Sequence, residues 1–200
     1  MTLPALHILS YLYWILLLLV TAASLVFAGL AFRLHKRVFT IISAGALAAA
    51  LFIAAAPAPR EDTGLDVLLG MIALALAVIG GGPVAVLTLQ LATRGSVSPG
   101  NYGGIMVESD GGPSATETRP LQVHEVLRGG LTIGILERLA VAGAILAGFP
   151  EAIAVVVAIK GVGRFTELAA SEARERFIIG TLASLIWASA CAALVMVVHR

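Results

Sequence analysis

Long apolar stretches separated by short polar ones dominate the chain. A helix needs about 20 predominantly apolar residues to cross a hydrocarbon layer of roughly 30 Å. The pattern therefore predicts an all-α, polytopic transmembrane helical protein with about six apolar segments and five or six spans. The predicted segments are residues 11–32, 38–56, 65–91, 131–149, 152–163 and 177–198.

The fourth and fifth segments differ from the others in length and in the turn between them. Residues 148–151 read GFPE, which favours a tight chain reversal. A helix over residues 152–163 is only ~18 Å long at the usual rise per residue. The pair is therefore predicted either to form a re-entrant hairpin or to cross the membrane with the fifth helix continuing past Arg164.

A polar stretch rich in glycine, serine and proline divides the chain into two halves. Residues 93–120 have the composition of a flexible linker, and this linker is predicted to lie on the cytoplasmic side. Residues 1–92 form a predicted three-helix membrane half. Residues 121–200 form a second membrane half with a charged helical hairpin. No sequence repeat relates the two halves.

Composition places these segments in lipid. Of 200 residues, 59% are hydrophobic and 12% are charged, whereas soluble domains are about 25% charged. The net charge of +1 argues against nucleic acid as a partner. Cys191 is the single cysteine, so an intrachain disulfide is excluded. Arginine outnumbers lysine 11 to 2 in an alanine- and glycine-rich chain, which favours a bacterial origin.

The distribution of basic residues predicts an orientation. If the N-terminus lies outside and every segment crosses, Arg60 and Arg200 fall outside and the other 11 of 13 basic residues fall on the cytoplasmic side. This asymmetry agrees with the positive-inside rule. The sequence therefore predicts a multi-pass protein of the bacterial cytoplasmic (inner) membrane with both termini outside.

Four charged residues in the second half form a predicted intramembrane network. Glu137 and Arg138 interrupt the fourth segment, and Lys160 and Arg164 lie at matching distances beyond the turn. Ionisable groups at membrane depth are costly and are usually paired or functional. We expect Glu137 to pair with Lys160 or Arg164 near the cytoplasmic boundary. The network either pins two helices or forms a site for an ion, a headgroup or an anionic solute.

A second candidate site lies in the third segment. Gly80, Gly81, Gly82 and Pro83 follow one another near its middle. Proline removes an amide donor, and glycines lower the cost of unwinding. Helices broken in this way often mark the binding site of a transporter. The alternative is a kink with a neighbouring helix packed against bare backbone.

The C-terminal third of the chain carries a pattern that resembles a known family. The pattern is Gly-x-Leu-Glu-Arg, an apolar hairpin, Lys, Arg-Phe-x-Glu-Leu and Phe-Ile-Ile-Gly-Thr. It includes Gly134, Glu137, Lys160, Arg164 and Thr181. In these residues the chain resembles uncharacterised bacterial integral membrane proteins. The resemblance implies a membrane location and no assigned chemistry.

The sequence contains no complete catalytic motif among those considered, so it does not support an enzyme. His124 and Glu125 begin HEVLR, in which Arg128 stands where a zinc motif requires a second histidine. No metal or cofactor is predicted, and no nucleophile elbow is present. We expect a non-catalytic membrane subunit or scaffold that binds the lipid bilayer and other membrane proteins or further copies of itself. The alternative is a small transporter or channel for an ion or small solute.

Overall fold

The computed structural model describes residues 3–56, 64–92, 130–163 and 171–200, and all regular structure in these ranges is α-helical. The predicted linker at 93–120 and the predicted network member Arg164 lie outside the described residues. The helices in chain order are α1 (Leu3–Leu34), α2 (Arg37–Ala54), α3 (Leu65–Ala92), α4 (Gly130–Leu146), α5 (Ala152–Gly163) and α6 (Ser171–Val198).

Four of the described helices are long and apolar enough to cross a membrane. They are the stretches His7–Leu34, Arg37–Ala54, Leu65–Ala92 and Arg174–Val198. Large apolar side chains such as Leu19, Phe52 and Met71 are exposed on their outer sides. The all-helical membrane class is therefore confirmed. With 17 and 12 residues, α4 and α5 are shorter than a full span requires, and the count of five or six spans stays a prediction.

The first two helices form an antiparallel pair. His35 has a left-handed backbone with a φ of 53°, and its amide donates to the carbonyl of Ala31 at the end of α1. Farther along, Ser24 Oγ donates to the carbonyl of Ser43 at 2.8 Å, and Ser43 Oγ donates to that of Ser24 at 2.9 Å. Small residues let helix backbones approach closely in lipid. This reciprocal pair fixes the register of α1 against α2.

The turn between α4 and α5 begins with a Schellman motif at Gly148. The amide of Phe149 donates to the carbonyl of Ala144 at 2.9 Å, and that of Gly148 donates to Ile145 at 3.0 Å. Gly148 has a φ of 74°, a conformation that glycine adopts without steric cost. The chain reversal is therefore tight, and α5 starts at Ala152.

Helix α3 lies at the centre of the bundle. It packs most extensively against α6 and also contacts α1 and α4. Its pairing with α6 is antiparallel, because Leu89 lies next to Gly180 and Leu76 next to Trp187. Since α3 and α6 come from different predicted halves of the chain, the two halves share one apolar core.

Candidate functional site

Arg138 is buried where α3, α4 and α6 meet. The residue is only 6% exposed. Its Nε atom donates to the carbonyl oxygen of Val78 at 2.9 Å, and its Nη1 atom donates to Ser184 Oγ at 3.2 Å. A backbone carbonyl and a hydroxyl therefore accept hydrogen bonds from the guanidinium. Through these bonds one side chain of α4 is tied to both α3 and α6.

The glycines of α3 provide the surface on which Arg138 and Trp187 lie. A Cβ atom at Gly81 would lie 2.2 Å from Arg138 Cδ, and one at Gly80 would lie 2.6 Å from the Trp187 ring. A Cβ atom at Gly82 would meet nothing within 4 Å. Two of the three glycines are thus required for close approach of neighbouring side chains. The two sequence-predicted candidate sites meet at this point and form one cluster.

Of the two interpretations of this segment, the broken helix is not observed, because α3 continues as an α-helix through Pro83. A proline inside a helix removes one hydrogen bond and crowds the preceding turn. Adjacent glycines permit the small backbone adjustments that the ring needs. Neighbouring helices also supply polar partners to a membrane helix that contains proline. The segment Gly80, Gly81, Gly82 and Pro83 is therefore a packing surface on a continuous helix.

Glu137 and Lys160 form an ion pair across the hairpin. Lys160 Nζ donates to Glu137 Oε2, with the glutamate buried and the lysine half-buried. The Lys160 ammonium also lies 5.6 Å from the centroid of the Phe177 ring on α6, within the range of a cation–π contact. Glu137 and Arg138 thus turn to opposite neighbours, since the first contacts α5 and the second contacts α3 and α6.

The cluster lies halfway along the long helices. Val78 and Ser184 each stand near the middle of a 28-residue helix. Each is therefore ~20 Å from either end at 1.5 Å per residue. The sequence predicts these charges near the cytoplasmic boundary, and that position relative to the membrane stays a prediction. Equal distances from the turn define the level of α5 relative to α4, but they do not define how deeply the hairpin lies beside α3 and α6.

Three members of the cluster were not among the predicted site residues. They are the hydroxyl of Ser184, the indole of Trp187 and the carbonyl of Val78. Trp187 Nε1 donates to the carbonyl of Leu76 at 3.0 Å, one turn from the Gly80 contact. Ser184 is a polar residue inside a long apolar segment, and this was a usable signal in α6. The backbone carbonyl of Val78 could not be predicted from the sequence, because every residue type has a backbone carbonyl.

The chemistry available to this cluster is electrostatic. Among the described residues it holds two cations and one carboxylate, with Glu137 paired to Lys160 and Arg138 held by neutral acceptors. A comparison with protein-family models, with curated proteins and with solved structures found no match for this chain. The geometry of the cluster is therefore the basis for inferring its role.

Replacing Gly81 by alanine tests the close contact with Arg138. We expect Gly81→Ala to lower the free energy of unfolding by about 1–3 kcal/mol, as overpacking does, because the new methyl group must displace the guanidinium side chain. Gly82→Ala is the matched control, since its methyl group enters open space. Thermal unfolding in detergent micelles measures both. Equal unfolding midpoints for the two variants would contradict the contact.

Replacing Glu137 tests the ion pair. Glu137→Gln leaves Lys160 without its carboxylate, and we expect a loss of about 2.5–3.5 kcal/mol, the insertion cost of one charge at the helix centre. Glu137→Asp should lose less because it keeps the charge. The double variant Glu137→Gln/Lys160→Gln should regain most of the loss. If Glu137→Gln unfolds at the wild-type midpoint, the pair contributes nothing to stability.

Proposed function

We propose that the protein is a non-catalytic integral membrane subunit or scaffold that binds partner membrane proteins. One observation carries the proposal: the charges of the cluster are engaged in holding helices together. Glu137 is held by Lys160, and Arg138 is held by α3 and α6. Groups that stabilise contacts between helices in this way are not turned towards a solute. A structural role for the bundle is thereby favoured over transport.

The outer face of α5 is the surface that we assign to a partner. No residue of α5 is buried, and α4 is its principal described neighbour. Val155, Ile159 and Val162 follow helical spacing and are 59%, 68% and 79% exposed. A short helix held by one neighbour and one ion pair gains stability from a second helix on its free side. The partner surface would therefore be an apolar transmembrane helix.

The location and orientation form part of the same proposal. We place the protein in the bacterial inner membrane with both termini outside, and in the family that its C-terminal pattern resembles. Arg33, Lys36 and Arg37 lie around the α1–α2 turn, and Arg174 and Arg176 lie at the start of α6. In the proposed orientation these basic residues lie at the cytoplasmic end of the bundle, as the positive-inside rule requires.

Single cysteines at positions 5, 62, 108 and 199 test this orientation. An impermeant thiol reagent added to intact cells should label positions 5, 62 and 199 and leave position 108 unlabelled. Cys191 is buried and should give a low background. Labelling of position 108 in intact cells would invert the proposed topology.

The subunit hypothesis predicts a partner of fixed stoichiometry. Native mass spectrometry of gently solubilised membranes should show a heterologous membrane protein bound to this chain. A photo-crosslinking residue at Ile159 should capture the same protein, and one at Phe52, which is 83% exposed on α2, is the matched control. Equal capture from both positions would remove α5 as the partner surface.

A small transporter or channel is the second candidate, and the position of the cluster halfway along two long helices favours it. Substrate sites of many transporters lie near the middle of the membrane, and the charges here lie halfway along α3 and α6. A pure homo-oligomer that carries ion flux in liposomes, with flux abolished in a correctly folded Glu137→Gln variant, would replace the subunit hypothesis with this one.

A further inference from the structure

An apolar groove lies between α2, α3 and α6. It has a volume of about 570 Å³. One wall consists of Ala44, Ala48 and Leu51 from α2, and the other includes Ala183 from α6, with the Trp187 ring beside it. The groove exists because α2 packs much less extensively against α6 than α3 does. It is independent of the α5 face that we assign to a partner protein.

The polar groups in the groove lining have partners within the protein. Thr88 Oγ1 donates to the carbonyl of Val84 at 2.9 Å, and Trp187 Nε1 donates to that of Leu76 at 3.0 Å. Neither group needs a hydrogen bond from an occupant. The lining is otherwise aliphatic, so the matching occupant is a hydrocarbon.

The size of the groove distinguishes between the possible apolar occupants. The lining on α6 runs from Ile179 to Ala190. A helix ~10 Å across has a volume of roughly 1,300 Å³ over that length, so a helix can lie over the groove but cannot enter it. An extended peptide segment is excluded as well, because lipid leaves its backbone groups unsatisfied. A second copy of the chain is disfavoured too, since twelve described residues line the groove and a stable interface uses roughly 20–30 a side. A single acyl chain remains.

One end of the groove is positively charged. Arg37 starts α2 ~10 Å before Ala44, which lines the groove. Lys36 and Arg37 are exposed, and neither α1 nor α2 contains a carboxylate that would neutralise them. This positive charge matches an anionic headgroup at the membrane surface.

We propose that this groove binds an anionic phospholipid, with one acyl chain between α2 and α6 and the phosphate at Lys36 and Arg37. The Trp187 ring connects this site to the core, because it lines the groove and also packs against Gly80. The bound lipid therefore stabilises the contact between α3 and α6, and the protein has a lipid-binding function in addition to any partner that it holds.

Fluorescence of Trp187 tests acyl-chain binding directly. Trp187 is 5% exposed, and Trp14, the other tryptophan, is buried in the core. In a Trp14→Phe background, vesicles of phosphatidylglycerol brominated on the acyl chain should quench Trp187. Ala48→Leu fills the groove and should abolish most of this quenching. Ala49→Leu is the matched control, since Ala49 is exposed on the same helix and does not line the groove.

The preference for an anionic headgroup is tested by changing the lipid headgroup and the basic residues. Brominated phosphatidylcholine should quench Trp187 less than brominated phosphatidylglycerol at equal fractions. Lys36→Gln/Arg37→Gln should reduce that preference by roughly tenfold or more, since each basic residue near an anionic surface strengthens binding by roughly fivefold. Native mass spectrometry of the unmodified chain provides a second readout, in which phosphatidylglycerol should remain bound and Ala48→Leu should release it.

Three outcomes would overturn the proposal. If Trp187 is quenched equally in Ala48→Leu and Ala49→Leu, the quenching comes from the surrounding bilayer and not from a lipid bound in the groove. If quenching does not depend on headgroup charge, the groove does not select anionic phospholipids. Protection of Trp187 from every brominated lipid, together with a dimer that Ala48→Leu dissociates, would assign the groove to a second copy of the chain.

Discussion

A buried arginine in an apolar bundle needs hydrogen-bond acceptors, and the packing of three helices satisfies that need. Arg138 reaches the Val78 carbonyl only because Gly81 leaves room for its side chain. The same glycine surface admits Trp187, which brings α6 close enough for Ser184 to accept the second bond. The positions of α3, α4 and α6 thus depend on one another through a single guanidinium. Removing one partner of a buried charge is far more costly than the pair is stabilising.

The helix pairs outside this cluster are held by different means. Lipid tails are as apolar as leucine, so transmembrane helices associate through close packing and hydrogen bonds more than through the hydrophobic effect. Two serines join α1 to α2 in this way. Helix α5 has an ion pair and a cation–π contact in place of a packed face. Among the described helices, α3 therefore has the most extensive contacts and α5 the least extensive.

Much of the helical pattern could be predicted from sequence, because apolar length is a local property. The bounds of α3 and α5 agree with the predicted segments to within one residue. Equal distances from the Gly148 turn also brought Glu137 to the level of Lys160. The start of α6 at Ser171 was missed because its first turns are polar. The position of the cluster along α3 and α6 and the partners of Arg138 depend on contacts 46 and 60 residues away in the chain, which no local pattern encodes.

The order of these residues along the chain constrains how the protein is made. During synthesis α3 emerges first and presents the Val78 carbonyl, and α4 then follows with two charges. Lys160 comes 23 residues after Glu137, and Ser184 comes 46 residues after Arg138. Until those residues emerge, each charge of α4 carries an insertion cost of roughly 2.5–3.5 kcal/mol. Helix α4 is therefore unsuited to enter the bilayer alone, and its integration waits for the nascent chain to deliver α5 and α6.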